Sequence, residues 1–188
     1  MGYKLEINAS NKHIHLDQED LETLFGKGYE LTFKKALKQP GQFASEEQVE
    51  VIGPKGSFPR VRVLGPVRKD TQLELALTDC RQLGINAPIR ESGKVQGTPG
   101  CKLIGEVELE YGVIVAKRHA HFYPTDAKDA GVENGQIVKI KIESDERTTI
   151  YDDVVCRVAE TCATEVHIDT DEANAAAMGN GAVCEIVE

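Results

Sequence analysis

The sequence lacks a long apolar run, a C-x-x-C pair and an excess of positive charge, and each absence excludes a class of protein. No apolar run approaches the ~20 residues of a membrane-spanning helix, so we expect a soluble protein. The net charge of −9 disfavours broad binding to nucleic acid or to an anionic membrane, because either needs a basic face. The five cysteines are odd in number and widely spaced, which argues against a disulfide framework or a four-cysteine zinc site and fits a reducing cytosol.

Common catalytic signatures are also missing. There is no Gly-x-x-x-x-Gly-Lys sequence, which disfavours nucleoside-triphosphate chemistry, and Gly97-Thr98-Pro99-Gly100 is too weak a pattern to predict a phosphate cradle. No Ser-His-Asp or Cys-His nucleophile is evident. The N-terminus enters a strand-like segment within a few residues, so we expect no secretory signal and a cytoplasmic protein.

Histidine is scarce, and its distribution is the strongest signal in the chain. Four of the five histidines form two His-x-His tripeptides, His13-Ile14-His15 and His119-Ala120-His121. A basic residue precedes each tripeptide, and an Asp lies five positions after its second histidine. On a β-strand, both histidines of a tripeptide point to one face and can bind one metal ion. A single copy is more often an ordinary surface or core pair, but the duplication predicts a site for one or two metals.

Three further residues are candidates for this site. His167 shares one face of a predicted strand with Glu165 and Asp169, and it is either a surface histidine or the third imidazole of a metal site. Glu74 lies on another predicted strand, as a solvated glutamate or as a carboxylate ligand. Arg68 follows a Gly-Pro turn and is either a solvated loop residue or a clamp for a planar anion.

Many short strands with short helices between them predict a mainly β fold of two small β-barrel domains with short connecting helices. We place the domains at residues 1–100 and 101–188, one His-x-His motif in each, with a linker at 91–100. Helices are expected at four places, each ended by a glycine and the last one Ala-rich: 17–25, 78–84, 125–131 and 171–178. A strand is expected over 101–109. Exposed barrel edges are compatible with a homodimer.

Five ordered segments spanning nearly the whole chain carry a resemblance to a known family: Asn11–Leu16, Gln39–Ala44, Val63–Lys69, Arg118–His121 and His167–Asn174. Together they resemble the PduL-type phosphate acyltransferases, or phosphate propanoyltransferases. The resemblance implies acyl transfer between coenzyme A and inorganic phosphate, with a propanoyl or acetyl group. It also implies two β-barrel domains with a two-zinc site between them.

The resemblance further implies a role for each candidate residue: His13, His15 and Glu74 hold one zinc, His119, His121 and His167 hold the other, and Arg68 contacts phosphate. Some relatives carry a cysteine near the glutamate. Leu77 stands three residues after Glu74 here, so no sulfur ligand is assigned. Relatives inside bacterial microcompartments often carry an N-terminal targeting extension. Only 12 residues precede the first His pair, which disfavours packaging by that route.

Two other functions compete with this interpretation. A cupin-like metal protein is suggested by the spacing of His13, His15, Glu19 and Gly26, although Glu19 falls in a predicted helix and the second His pair is distant. A metal-dependent hydrolase would use water in place of phosphate. For the acyltransferase, phosphate must be desolvated and held against a thioester, and coenzyme A leaves readily as a thiolate. The absence of an evident nucleophile favours direct transfer in a ternary complex.

Overall fold

The first strand, β1 (Lys4–Ser10), pairs with strands from the far end of the chain. The computed structural model describes residues 2–104 and 106–187. It divides the chain into a unit of Met1–Ser10 with Lys117–Glu188, which we call the barrel unit, and a unit of Asn11–Ala116, which we call the sheet unit. Each unit has its own hydrophobic core.

The barrel unit is a closed β-barrel. Its strands after β1 are β11 (His119–Phe122), β12 (Ile137–Ile142), β13 (Thr149–Val158), β14 (Glu165–Asp169) and β15 (Val183–Val187). The strand order around the barrel is β1-β14-β11-β13-β12-β15. Closure depends on β1, which is parallel to β14 on one side and antiparallel to β15 on the other. Leu5 and Ile7 of β1 point into the barrel core, and each buried aliphatic side chain contributes about 1.5–3 kcal/mol.

The sheet unit is a nine-stranded sheet. Its strands are β2 (His13–His15), β3 (Phe33–Ala36), β4 (Phe43–Ile52), β5 (Ser57–Gly65), β6 (Gln72–Leu75), β7 (Ile89–Arg90), β8 (Lys102–Leu103), β9 (Val107–Glu108) and β10 (Val113–Ala116). The path across the sheet is β7-β10-β6-β2-β5-β4-β8-β9, and β3 pairs with β4 beside this path. The central strand β2 is parallel to β5 and antiparallel to β6. The mainly β class expected from the sequence is therefore confirmed.

The division between the units differs from the boundary expected at residue 100. Strand β1 leaves the N-terminal half because its backbone partners, β14 and β15, are C-terminal. Strands β8 and β10 stay with the N-terminal half because they pair with β4 and β6. The segment expected as one strand over 101–109 is instead the antiparallel pair β8 and β9, with Gly105 outside the described residues.

Four short helices connect the strands in the described residues: α1 (Gln18–Phe25), α2 (Leu77–Leu83), α3 (Pro124–Ala130) and α4 (Thr170–Ala175). Glycines end α2 and α3 as predicted, since Gly84 and Gly131 adopt φ of 73° and 70°. The predicted Thr or Asp caps of α2 and α3 are wrong, because the N-cap residues of these helices are Ala76 and Tyr123. The last helix is shorter than the predicted 171–178. In the described residues, no helix is long and apolar enough to cross a membrane.

Candidate metal centres and anion pocket

The repeated sequence pattern is also a repeated structure. In each unit a His-x-His strand pairs in antiparallel register with a second strand, and the first histidine lies opposite a further potential metal ligand. In the sheet unit, His13 of β2 is paired with Glu74 of β6. In the barrel unit, His119 of β11 is paired with His167 of β14. The two third ligands therefore occupy equivalent positions, although one is a carboxylate and the other an imidazole.

The Asp of each repeat holds the strand that carries the third ligand. Thr71, which precedes β6, donates its hydroxyl to Asp20 at 2.5 Å. Thr164, which precedes β14, donates its hydroxyl to Asp126. In both units this threonine lies three residues before the third ligand. The repeated aspartates therefore anchor the strands that carry the third ligands. Their repetition in the sequence reflects this structural role.

The basic residue of each repeat has a comparable structural role. Lys12 forms an ion pair with Asp79 of α2, with 2.8 Å between Nζ and Oδ1. Arg118 pairs through Nε with Glu172 of α4, and its Nη1 also donates to the Asp152 carbonyl at 2.6 Å. Each cation thus ties a His-x-His segment to a helix of its own unit.

The first cluster consists of His13, His15 and Glu74, whose potential ligand atoms lie within 4.8 Å of one another. His13 Nε2 is 3.5 Å from Glu74 Oε2. The other ring nitrogens face backbone carbonyls: His13 Nδ1 is 2.8 Å from the Asn11 oxygen, and His15 Nδ1 is 3.2 Å from the Leu64 oxygen. A proton on Nδ1 that is donated to a carbonyl leaves the Nε2 lone pair free for a metal.

The second cluster consists of His119, His121 and His167, again with ligand atoms within 4.8 Å. The Nε2 atoms of His119 and His121 face each other at 3.1 Å. His119 Nδ1 is 2.8 Å from the Lys117 carbonyl oxygen, which repeats the contact between His13 and Asn11. His121 Nδ1 is 3.4 Å from the Cys162 sulfur. Zinc binds sets of nitrogen and carboxylate donors of this kind, so both clusters fit zinc.

Burial keeps most of these imidazoles neutral. Desolvation and neighbouring positive groups lower the pKa of His15 to about 3, that of His119 to about 3 and that of His121 to about 4. Neutral imidazole is the form that binds metals, because its nitrogen lone pair is free. The exposed fraction of His15 is only 2%, which makes a proton on its ring unfavourable.

His13 and Glu74 each favour the charged form of the other. Burial disfavours the charged form of both, but mutual attraction outweighs it. The pKa of His13 is therefore raised and that of Glu74 is held well below its usual range. A carboxylate that stays ionised in a buried site is suited to binding a cation.

An open cavity of about 230 Å³ adjoins the first cluster. It is lined by His15, Arg68 and two turns, 40–42 and 65–66. The Arg68 backbone N–H donates to the Leu16 carbonyl at 2.9 Å, which fixes the turn beside the His-x-His strand. A cavity lined by both an imidazole and a guanidinium is suitable for a small oxyanion.

The segment expected to be a linker instead belongs to this site. Ser92 Oγ accepts hydrogen bonds from Arg68 Nη1 at 2.9 Å and from Gln72 Nε2 at 2.8 Å, and it donates to Glu74 Oε1 at 3.0 Å. Val95, in the same segment, is fully buried. The linker prediction over 91–100 is therefore wrong, since the segment packs inside the sheet unit. The Gly and Ser content of residues 91–100 did not indicate that Ser92 contacts Arg68 and Glu74.

Arg157 was also missed by the sequence reasoning. It lies on β13 directly opposite His121, and its charge contributes to the lowered pKa of both His119 and His121. Each cluster therefore has a nearby arginine, Arg68 for the first and Arg157 for the second. No repeated motif surrounds Arg157, so only the strand register identifies it.

The structure brings the six candidate ligands together in the two groups of three expected from the sequence. Binding of metal by these groups remains a prediction. The cupin-like grouping is not supported, because Glu19 is an exposed residue of α1 and lies outside both groups. His167 does face away from the apolar side chains of Val166 and Ile168, as strand alternation predicts.

Comparison with known proteins gives the family of the chain. Residues 6–179 match the family described as phosphate propanoyltransferase. The chain belongs to the phosphate propanoyltransferase family. The phosphate propanoyltransferase of Thermotoga maritima is 54% identical over 185 residues, which cover 97% of this chain and 88% of that protein. The Leptotrichia buccalis protein of the same name is 55% identical over 178 residues, 93% of this chain and 84% of that protein.

A third member of the phosphate propanoyltransferase family, from Enterococcus faecalis, is 51% identical over 180 residues, 94% of this chain and 85% of that protein. The match to these relatives extends across both units. Membership of this family makes the chain an acyltransferase.

Proposed function

We propose that this enzyme interconverts acyl-CoA plus phosphate with acyl phosphate plus coenzyme A, using a propanoyl or acetyl group, with one zinc in each cluster. The observation that carries the proposal is the cavity lined by both Arg68 and His15, because His15 also belongs to a potential metal cluster. Family membership supports the same reaction.

A zinc ion supplies a Lewis acid that can stabilise negative charge developing on an oxygen atom. The residues of the chain perform the remaining tasks. The Arg68 guanidinium, held by Ser92, binds phosphate and turns one oxygen toward the thioester carbonyl. The walls around residues 40–42 and 65–66 shield the anion from part of the solvent. Desolvation makes phosphate a better nucleophile than it is in water.

In the proposed transfer, a phosphate oxygen forms a bond to the thioester carbon, and the carbon–sulfur bond breaks. Coenzyme A leaves as a thiolate with the electron pair of that bond. No acyl group is attached to the protein. Cys162 is an alternative nucleophile, because its sulfur lies 3.4 Å from Nδ1 of His121. Burial raises the pKa of its thiol, however, and the low pKa of His121 makes that imidazole a weak base.

The decisive assay measures free coenzyme A released from propanoyl-CoA and acetyl-CoA, with and without phosphate. We expect release that depends on phosphate and forms acyl phosphate. Release without phosphate would identify a hydrolase, and absence of turnover in the metal-loaded protein would identify a binding protein. Ping-pong kinetics with an isolable acyl-enzyme would overturn direct transfer.

Two variants connect the assay to the site. Arg68→Ala should lower kcat/KM by roughly 100-fold or more, because it removes the donor that orients phosphate. The control, Arg60→Ala, removes an exposed arginine of the same unit and should be neutral. His119→Ala should lower bound zinc from two ions to one and remove most activity while the barrel stays folded. Full activity and unchanged zinc content in this variant would contradict the ligand assignment.

A further inference from the structure

The residue two positions before the third ligand contacts that ligand in both units. In the sheet unit, Gln72 Nε2 donates to Glu74 Oε1 at 2.6 Å. In the barrel unit, Glu165 Oε1 lies 3.0 Å from His167 Nε2. Alternation on the strand puts each pair on one face, and Gln72 and Glu165 lie opposite the second histidine of their His-x-His strands. In each unit, the third ligand therefore has a supporting residue: Gln72 for Glu74 and Glu165 for His167.

The chemistry of the supporting residue is matched to its ligand. Glu74 is a carboxylate, which only accepts hydrogen bonds when ionised, and its supporting residue Gln72 offers an amide donor. His167 has a ring N–H to donate, and its supporting residue Glu165 offers a carboxylate acceptor. The third ligand is a carboxylate in one unit and an imidazole in the other. The supporting residue differs accordingly: it is a hydrogen-bond donor beside the carboxylate and an acceptor beside the imidazole.

Each supporting residue also accepts a hydrogen bond from a residue outside its cluster. The Gly93 backbone N–H donates to Gln72 Oε1 at 2.7 Å. Asn8 Nδ2 donates to Glu165 Oε2 at 2.8 Å, and Asn8 of β1 is in direct register with His167. The exposed fraction of Glu165 is only 2%. Ionised carboxylates are rarely buried this deeply without such partners, and here the partners leave one oxygen directed at His167.

The ring nitrogens of the second cluster then separate into two groups. His119 and His121 face each other through Nε2, and their Nδ1 atoms contact the Lys117 carbonyl and the Cys162 sulfur. His167 is turned the other way, because its Nε2 faces Glu165. The nitrogen of His167 that remains for a metal is Nδ1.

We propose that Glu165 is a positioning residue that holds the Nε2 proton of His167, so that His167 presents Nδ1 to the zinc while His119 and His121 present Nε2. This inference rests on the proposed zinc in that cluster. A carboxylate behind a ligating imidazole fixes its tautomer and increases its basicity, and loss of such a partner typically weakens metal binding roughly 10- to 100-fold.

Chelator competition on the whole protein measures zinc affinity without using activity. Wild type should bind two zinc ions, and Glu165→Ala should bind one of them roughly 10- to 100-fold more weakly. The control Asp169→Ala removes a buried carboxylate of the same strand that caps α4, so it tests general destabilisation of the barrel. Its zinc affinity should stay within about 2-fold of wild type.

A pair of substitutions that moves the carboxylate from residue 165 to residue 8 provides a rescue test. Glu165→Gln places an amide NH₂ against the Asn8 NH₂, so we expect an intermediate loss of zinc affinity. Adding Asn8→Asp supplies an acceptor for that amide and should recover part of the affinity. Long-range ¹H–¹⁵N spectra of the imidazoles should show His167 protonated at Nε2 in wild type, and this fixed tautomer should disappear in Glu165→Ala.

The outcomes separate the two proposals. Two zinc ions in wild type with unchanged affinity in Glu165→Ala, or His167 protonated at Nδ1, would overturn the role of Glu165 and leave the proposed acyltransferase intact. A wild-type protein that binds no zinc through His119 and His121 would overturn both.

Discussion

Replacing Ser92 by Ala tests whether the 91–100 segment positions the phosphate contact. The change removes one hydroxyl that joins Arg68, Gln72 and Glu74 through hydrogen bonds of 2.9, 2.8 and 3.0 Å. Two of these bonds involve a charged partner, and a hydrogen bond to a charged group contributes about 1.5–3 kcal/mol. Glu74 retains Gln72 and His13, so the main loss is the orientation of Arg68. One such contact corresponds to roughly a 10- to 150-fold fall in kcat/KM for phosphate.

The assay is steady-state release of coenzyme A at varied phosphate and at saturating propanoyl-CoA. Ser92→Ala should raise the KM for phosphate more than the KM for propanoyl-CoA, because in the proposed reaction the lost contact positions Arg68 against the phosphate. Ser57→Ala is the matched control, since its hydroxyl donates to Glu50 Oε1 at 2.7 Å on the exposed surface of the same unit. An unchanged KM and kcat for phosphate in a folded Ser92→Ala protein would refute the positioning role.

Three further predictions test packing, pH dependence and mechanism. Gly65→Ala should destabilise the sheet unit by about 1–3 kcal/mol in denaturant melts, because the added Cβ would lie 2.2 Å from a Phe43 ring carbon behind the anion cavity. Glu47→Gln should cost about 1–3 kcal/mol at pH 7, since hydrogen bonds with Thr32 and Tyr29 outweigh burial and hold the Glu47 pKa at about 2. The stability contributed by ionised Glu47 is fully present above pH 4.5 and is lost as the pH falls toward 2. Equal stability of Glu47→Gln and wild type at pH 7 would contradict this prediction. Cys162→Ala should keep kcat within about 10-fold, and complete inactivation with normal zinc content would instead favour an acyl-enzyme.

Local chemistry accounts for what could be predicted about the fold. Alternation along a strand needs no tertiary information, so His13 and His15 were correctly expected on one face. Glycines that adopt a left-handed conformation after about two turns likewise revealed the ends of α2 and α3. Helix starts were less accurate, because neither Ala76 nor Tyr123 provides the side-chain oxygen that marks a typical N-cap.

Residues that support the clusters carried no comparable signal. Ser92 lies in a Gly- and Ser-containing segment that reads as a linker, and only the folded sheet unit brings it to Arg68. Glu165 was noted only as part of a polar strand face, since its contact with His167 gains meaning from the second cluster around it. Arg157 shares no motif with Arg68.

The sequence by itself determined the mainly β class and the two His-x-His motifs, and its resemblance to a known family pointed to the six residues that the structure groups into two clusters. Tertiary structure alone decided that β1 completes the C-terminal barrel, that Ser92 contacts Glu74 of the first cluster, and that Nε2 of His167 faces Glu165. The physical reason is range: side-chain alternation and turn chemistry act over a few residues, whereas strand partners and register are fixed by contacts between residues distant along the chain.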